Sequence, residues 1–194
     1  KYDFTGKVAL ITGSSSGIGA AIALQFAQYG AQVTITGRDA ETLANVGKEI
    51  EEKCGHCPLQ IIGNLIDQYL PEKLINETMT KFGRLDFLVN NAGIGTIGGL
   101  ESENFMAEFN KVFAINVRAP VQSIQLAVPH LEKTKGNIIN ISSIASLTAV
   151  CEKNSNDLFL KFLLIEIQCE IETVKPKKKF TIGHLYSIII IIIQ

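Results

Sequence analysis

VALITGSSSGIG, Val8 to Gly19, is the stretch that decides the fold. It opens with Val8-Ala9-Leu10-Ile11, a short, β-branched apolar run of the kind that forms a buried parallel strand. Gly13, Gly17 and Gly19 follow. Ala20 to Ala27 is then a good helix sequence with apolar residues along one face. Strand, glycine turn and helix place a diphosphate on the first backbone N–H groups of the helix. The glycines permit a tight turn, close approach of the phosphates, and close packing of helix on strand. The spacing is G-x3-G-x-G, which on its own fits an unliganded glycine-rich loop equally well. The strand before it and the helix after it point to a dinucleotide site. The loop lacks the Gly-Lys-Ser/Thr ending of a P-loop, which argues against NTP hydrolysis.

Outward from this stretch the chain alternates strand and helix. Gln32 to Thr36 is a second strand, ended by Gly37-Arg38-Asp39, and residues 40–53 are helical in pattern. Pro58 to Gly63 is a third strand, and Pro71 opens a helix through Phe82. Asp86 to Asn90 is a fourth strand, ending at Asn91-Ala92-Gly93. Residues 102–132 are largely helical, with Pro120 marking a kink and Pro129 an end. Asn137 to Ile141 is a fifth strand, followed by Ser142-Ser143. The alternation predicts an α/β fold, a Rossmann-like, doubly wound parallel sheet truncated after the fifth strand. Ligands of such sheets bind beyond the C-terminal strand ends, where Gly13, Arg38, Asn64, Asn91 and Ser143 all fall.

Bulk properties narrow the classes. A chain of 194 residues has the mass for one domain with a sizeable core. A net charge of −1 carries no basic excess for nucleic acid. The N-terminal KYDFTGKV has no apolar segment of the kind a signal peptide needs. Four Cys are too few for a disulfide scaffold, so a reducing cytosol is the expected location.

Four motifs in order carry a family resemblance: T-G-x3-G-I-G at Thr12–Gly19, N-N-A-G at Asn90–Gly93, N-V at Asn116–Val117, and G-N-I-I-N-I-S-S at Gly136–Ser143. Residues 4–148 resemble the short-chain dehydrogenase/reductase family. The resemblance implies NAD(P)(H) and reversible hydride transfer between an alcohol and a ketone or aldehyde. It assigns the phosphate loop to Gly13, Ser14, Ser15, Ser16, Gly17, Ile18 and Gly19. It puts Asn64 and Leu65 against the adenine, with an amide where the family usually has a carboxylate. Asn91, Ala92 and Gly93 fall along the nicotinamide side. Arg38 follows the second strand, where an acidic residue would accept from a ribose 2′-OH. A guanidinium there favours a 2′-phosphate by charge and fork geometry, and so NADP(H) over NAD(H). The alternative is a solvated turn in which Asp39 neutralises Arg38. The family also implies a small alcohol or carbonyl substrate and a dimer or tetramer packed through the long helix that holds Lys111 and Arg118.

The family's proton-transfer group is Asn, Ser, Tyr and Lys. Asn116 matches the Asn, which holds a water through the helix. Ser143 matches the Ser, which hydrogen-bonds the substrate oxygen; its bland reading is a turn cap after a strand. The Tyr and Lys positions hold Asn156 and Leu160. Asn has no titratable proton, and Leu has no charge to lower a phenol's pKa. Tyr69 and Lys73 do form Y-x-x-x-K, but far upstream and with Pro71 between them. The expectation is a dinucleotide-binding chain without turnover, either a pseudoenzyme or an incomplete splice or gene-model product.

Composition shifts at the same place, dividing a Rossmann-like domain, 1–150, from a divergent tail, 151–194. The tail holds one of the 16 glycines and no alanine, and half of its residues are Phe, Tyr, Ile, Asn or Lys. Those residues have A/T-rich codons, which fits frame-shifted, non-coding or alternative-exon sequence. A physical reading also exists: Ser155-Asn156-Asp157 capping a helix to about Thr173, and Phe180 to Ile193 as a strand. A membrane anchor after Lys175–Lys179 falls short of the roughly 20 apolar residues needed to span.

Cys54-Gly55-His56-Cys57 has the wording of a thiol-exchange site. It ends a helix rather than starting one, so the helix field opposes a thiolate, and solvated loop cysteines are the expectation. A fourth ligand for zinc is not evident, and no metal is expected. Asp67 and Asp86 show no paired-carboxylate logic.

Overall fold

The computed structural model describes residues 2–95, 101–143 and 186–192. Its strands are β1 (Val8–Ile11), β2 (Gln32–Gly37), β3 (Leu59–Ile62), β4 (Phe87–Asn90), β5 (Asn137–Ser143) and β6 (Tyr186–Ile192). Its helices are α1 (Gly17–Gln28), α2 (Ala40–Cys54), α3 (Leu70–Phe82), α4 (Phe105–Phe113) and α5 (Ala119–Thr134). A π-helical segment, Ala114–Arg118, joins α4 to α5. The strand order is β3-β2-β1-β4-β5-β6, and every pair is parallel. The order reverses between β1 and β4, the switch point where such sheets open a ligand crevice.

Alternation along the strands builds two cores. Leu10, Leu88 and Ile138 face α3 and α5 and pack with Leu74, Leu85, Ile115 and Leu131. Ala9, Ile11, Val33, Ile35 and Val89 face α1 and α2 and pack with Ala23, Ala27, Leu43 and Ile50. Both faces are buried, so the strands are apolar runs rather than alternating ones. α1 meets the sheet through Gly19, Ala23 and Ala27. These small side chains bring the helix start close to the end of β1.

The five expected strands are all present, and the sheet does not stop at the fifth. Part of the tail, Tyr186–Ile192, adds a sixth in continuous register from Asn137↔Tyr186 to Ser143↔Ile192. That pairing carries β5 through Ser142 and Ser143, which the sequence pattern places after the strand. The expected helix over residues 155–173 lies outside the described residues.

The 102–132 helix departs in two ways. It holds the π segment, with Pro120 at the first turn of α5. Pro129 sits inside α5 instead of ending it, and the helix runs to Thr134. Pro129 and Gln125 are both exposed, so water meets the carbonyl that proline cannot bond.

Candidate functional site

The site is built where β1 meets β4. Thr12 follows β1, and its backbone N–H donates to Val89 O at 3.0 Å. Its hydroxyl accepts from the N–H groups of Asn91 and Ala92, at 3.0 and 3.1 Å. The Asn91 amide donates back to Thr12 O at 2.9 Å and Gly13 O at 3.0 Å. Two glycines make this closeness possible. A Cβ on Gly13, whose φ is +63°, would sit 2.8 Å from Ala92 Cα. A Cβ on Gly19 would meet Gly13 O at 2.3 Å and Asn91 Nδ2 at 2.4 Å.

The loop then delivers α1. Ser16 is its N-cap in extended backbone, yet no side chain caps the helix and its first turn holds no acidic residue. Gly17 and Ile18 in that turn are exposed. The first-turn N–H groups therefore face outward with the positive end of the helix dipole behind them, an anion site by construction. Ser14 behaves differently from its neighbours. Its side chain is fully buried, donating to Ile11 O at 2.8 Å and accepting from Thr36 N at 2.9 Å. It ties the loop to β2 and is not among the residues that line the cleft beside the helix end.

A cleft of about 210 Å³ opens beside this helix end. Of the residues singled out from sequence, Gly13, Ser15, Ser16, Arg38, Asn64, Leu65, Asn91, Ala92 and Gly93 line it. Thr36, Gly37, Gly63, Ile94 and Ile115 line it too and carried no motif signal. Arg38 is its one charged lining residue. Asp39 accepts from Thr42 N at 2.8 Å as the N-cap of α2, and Arg38 beside it is exposed. That backbone hydrogen bond, with the Thr42 side chain, holds the Asp39 pKa below the ordinary carboxylate value. The Thr36 hydroxyl is buried in the cleft wall without a partner among the described residues. An uncapped helix end, an exposed guanidinium and an orphaned hydroxyl all fit a dinucleotide phosphate. Asn64 bends its own loop, its Oδ1 accepting from Ile66 N at 3.1 Å.

Asn116 lies in the π segment. Its Oδ1 accepts from Ile94 N at 2.9 Å and its Nδ2 donates to Ile94 O at 2.8 Å. The side chain thus clamps the loop that continues from Asn91-Ala92-Gly93. A π turn at such a place aims a side chain that an α turn would carry elsewhere. Ser143 is the last paired residue of β5. Arg118 donates to Ile66 O, a contact that holds the 64–66 loop against the long helix.

One strong charge site had no sequence signal. Asp86, only 2% exposed, accepts from Val8 N at 3.0 Å and from Arg84 Nε and Nη2 at 2.8 and 2.7 Å, with Lys7 Nζ at 3.3 Å. Burial pushes its pKa up, but the Arg84, Val8 and Lys7 hydrogen bonds outweigh it and hold the carboxylate ionised. It ties β1 to β4 at the end of the sheet opposite the cleft.

The cysteine pair ends α2 as expected. Cys54 is half-buried and Cys57 exposed, and both are free thiols. Burial raises the Cys54 pKa, and a hydrogen bond with Glu51 raises that of Cys57, so neither favours the thiolate. Among the described residues no group of His, Cys, Asp or Glu could hold a metal ion.

The family model for short chain dehydrogenase matches residues 7–154. The chain belongs to the short chain dehydrogenase family. The mouse (Mus musculus) L-fucose dehydrogenase is 35% identical over 170 residues, which cover 84% of this chain and 60% of that enzyme. Among solved structures, the L-sorbose reductase of Gluconobacter frateurii complexed with NADPH and L-sorbose aligns with a TM-score of 0.80. Its identity is 29%, over 88% of this chain and 65% of that one. A metagenomic short-chain oxidoreductase in complex with NADP aligns with a TM-score of 0.77 at 30% identity, over 97% and 82% of the two chains. The chain spans about three fifths of the mouse enzyme's length. No helix among its described residues is long and apolar enough to cross a membrane.

Proposed function

We propose that this chain binds NADP(H) in the cleft, as an NADP-preferring member of a family that interconverts alcohols and carbonyls, and that it does not itself turn over. The observation that carries the binding is Arg38, the cleft's one charged lining residue, with Asp39 committed to capping α2. In this reading the first-turn N–H groups of α1 hold the diphosphate. Arg38, with Ser15 beside it, holds the 2′-phosphate by a charged fork. Asn64 and Leu65 flank the adenine. Asn91 ties the β1 and β4 loops together beside the cleft, and Asn116 fixes the loop on the nicotinamide side. Neighbours that hold NADPH and NADP support the same choice.

When bound, the nicotinamide supplies or accepts a hydride. This chain's own part would be to orient the substrate oxygen through Ser143 and to exchange its proton. The second task needs a titratable group beside a positive charge, and the matching positions hold Asn156 and Leu160. The reading is therefore a binding protein of dehydrogenase descent, placed in a reducing cytosol, with self-association through the long helix as the family-based expectation.

Thermal unfolding with NADPH, NADH and no nucleotide tests it. A ligand at 100 times its dissociation constant adds about 2.7 kcal/mol to a fold that alone binds it. NADPH should raise the melting temperature more than NADH. An equal or reversed effect would sink the Arg38 assignment. Oxidation of NADPH above background by the purified chain with any carbonyl in a substrate panel would sink the claim of no turnover.

A further inference from the structure

We propose that Cys54 and Cys57 form a reversible disulfide site, oxidised by a low-molecular-weight disulfide, with the exposed Cys57 reacting first. The proposal does not rest on the cofactor reading, since α2 begins beside Arg38 and the pair lies at its far end. α2 ends on Cys54, and Gly55 turns the chain with a φ of +76°, its N–H donating to Glu51 O at 2.9 Å. His56 then folds back: its Nδ1 lies 3.2 Å from Cys54 O and its Nε2 lies 3.1 Å from Ala31 O. The ring is held between the end of α2 and the turn that joins α1 to β2. His56 is therefore a brace, and it fixes the turn from which both cysteines project.

One carboxylate brings the two thiols together. Glu51 stands three residues before Cys54 on α2, so the two side chains are neighbours on one helix face. The Cys57 thiol reaches the same carboxylate and hydrogen-bonds to it, and Lys81 of α3 faces it as well. Both sulfurs thus lie beside Glu51. Exposure sets the order, because Cys57 is open to solvent and Cys54 is half-buried. Glu51 holds Cys57 as the thiol, and the thiolate is the attacking form. The pair therefore rests reduced and reacts only slowly.

The chemistry balances with the small disulfide as the sole oxidant. Cys57 loses its proton to solvent and attacks one sulfur of R–S–S–R. A mixed disulfide forms on Cys57, the old S–S bond breaks, and one R–S⁻ leaves and takes up a proton. Cys54 then loses its proton and attacks the Cys57 sulfur, which closes the Cys54–Cys57 bond and releases the second R–SH. The two thiols of the chain are oxidised and the external disulfide is reduced to two thiols. The second step is intramolecular, so the mixed disulfide is short-lived.

The test treats the full chain with oxidised glutathione and maps it with trypsin without reduction. Lys53 and Lys73 bound one tryptic peptide, Cys54–Lys73, which holds both cysteines. It should become two hydrogens lighter, refuse iodoacetamide, and recover with dithiothreitol. Cys54→Ser should stop with glutathione on Cys57. Cys57→Ser should leave Cys54 unmodified over the same time. Glu51→Gln should speed the first step at neutral pH, because the thiolate no longer forms beside a negative charge. A peptide that keeps its full mass, a bond from either cysteine to Cys151 or Cys169, a Cys57→Ser chain modified on Cys54 as fast as the wild type, or a Glu51→Gln chain that reacts no faster would each overturn the proposal.

Discussion

The junction of β1 with β4 and the junction of β4 with β5 lie side by side in one sheet and are finished differently. At the first, the Thr12 hydroxyl and the Asn91 amide are matched with backbone partners across the gap. At the second, Asn90 Nδ2 donates to Asn140 Oδ1 at 2.9 Å and the pair stops there. Asn90 Oδ1 and Asn140 Nδ2 are buried without partners among the described residues. Buried polar groups left unmatched cost stability, while matched ones fix a single arrangement. The contrast teaches that the half built by Thr12 and Asn91 is complete in itself. The half toward Ser143 holds polar groups that its own neighbours do not use.

The largest expected effect breaks the complete half. Gly19→Val puts carbon on Gly13 O and Asn91 Nδ2, so the α1 start must move. Overpacking of this kind costs about 1–3 kcal/mol, and the NADPH-induced rise in melting temperature should vanish with it. A variant that still gains stability from NADPH would show that the close approach is not needed for binding.

Asp86→Asn tests the other end of the same junction. It removes the charge that Arg84 and Lys7 share and should cost about 2 kcal/mol in denaturant unfolding. The Asp86 pKa lies below its ordinary value of 3.8. Its stabilisation is therefore present above that value and lost as pH falls through the lower folded-state one. The wild type should lose stability on acidification more steeply than Asp86→Asn, and parallel acid limbs would contradict this.

Asn140→Leu sharpens the comparison. The single change strands the Asn90 amide and should cost about 1 kcal/mol, while Asn90→Leu with Asn140→Leu should cost less than the single. A double variant worse than the sum would mean the pair is better satisfied than its neighbours indicate.

The effects of Arg38→Ala and Asp39→Ala should separate cleanly. The first should lower the preference for NADPH over NADH about tenfold, near 1.4 kcal/mol, and leave the nucleotide-free melt unchanged. The second should lower the melt slightly, as a lost helix cap does, without touching that preference. A preference shift in Asp39→Ala would show that the two side chains are coupled after all.

Much of this was legible because it is local. A glycine that must pass close to a carbonyl, an Asn-Ala-Gly loop after a strand and an Arg at the end of β2 are visible in short windows. Asp86 was not, because only Arg84 of its partners is near in the chain, Val8 and Lys7 are remote, and a lone carboxylate before a strand has no pattern. Ser14 reads like Ser15 and Ser16 until the fold turns its hydroxyl into β2. Ser142 and Ser143 become strand only because β6 arrives beside them. Pro129 looks like a helix end, and solvent on that face lets the helix pass through it.

The π segment at Ala114–Arg118 has a consequence of phase. Each residue advances an α-helix by about 100°. Deleting one residue between Ala114 and Arg118 would restore a continuous α-helix and leave α4 and α5 in phase, because a π turn takes up its extra residue by widening a single turn. Composition and hydropathy would barely change and the Phe105, Phe109 and Phe113 stripe would keep its facing, yet the widened turn that holds Asn116 against Ile94 would be gone. At this point the length of the chain, more than the identity of any residue in it, works as the indexing tooth that keeps helix and loop in step.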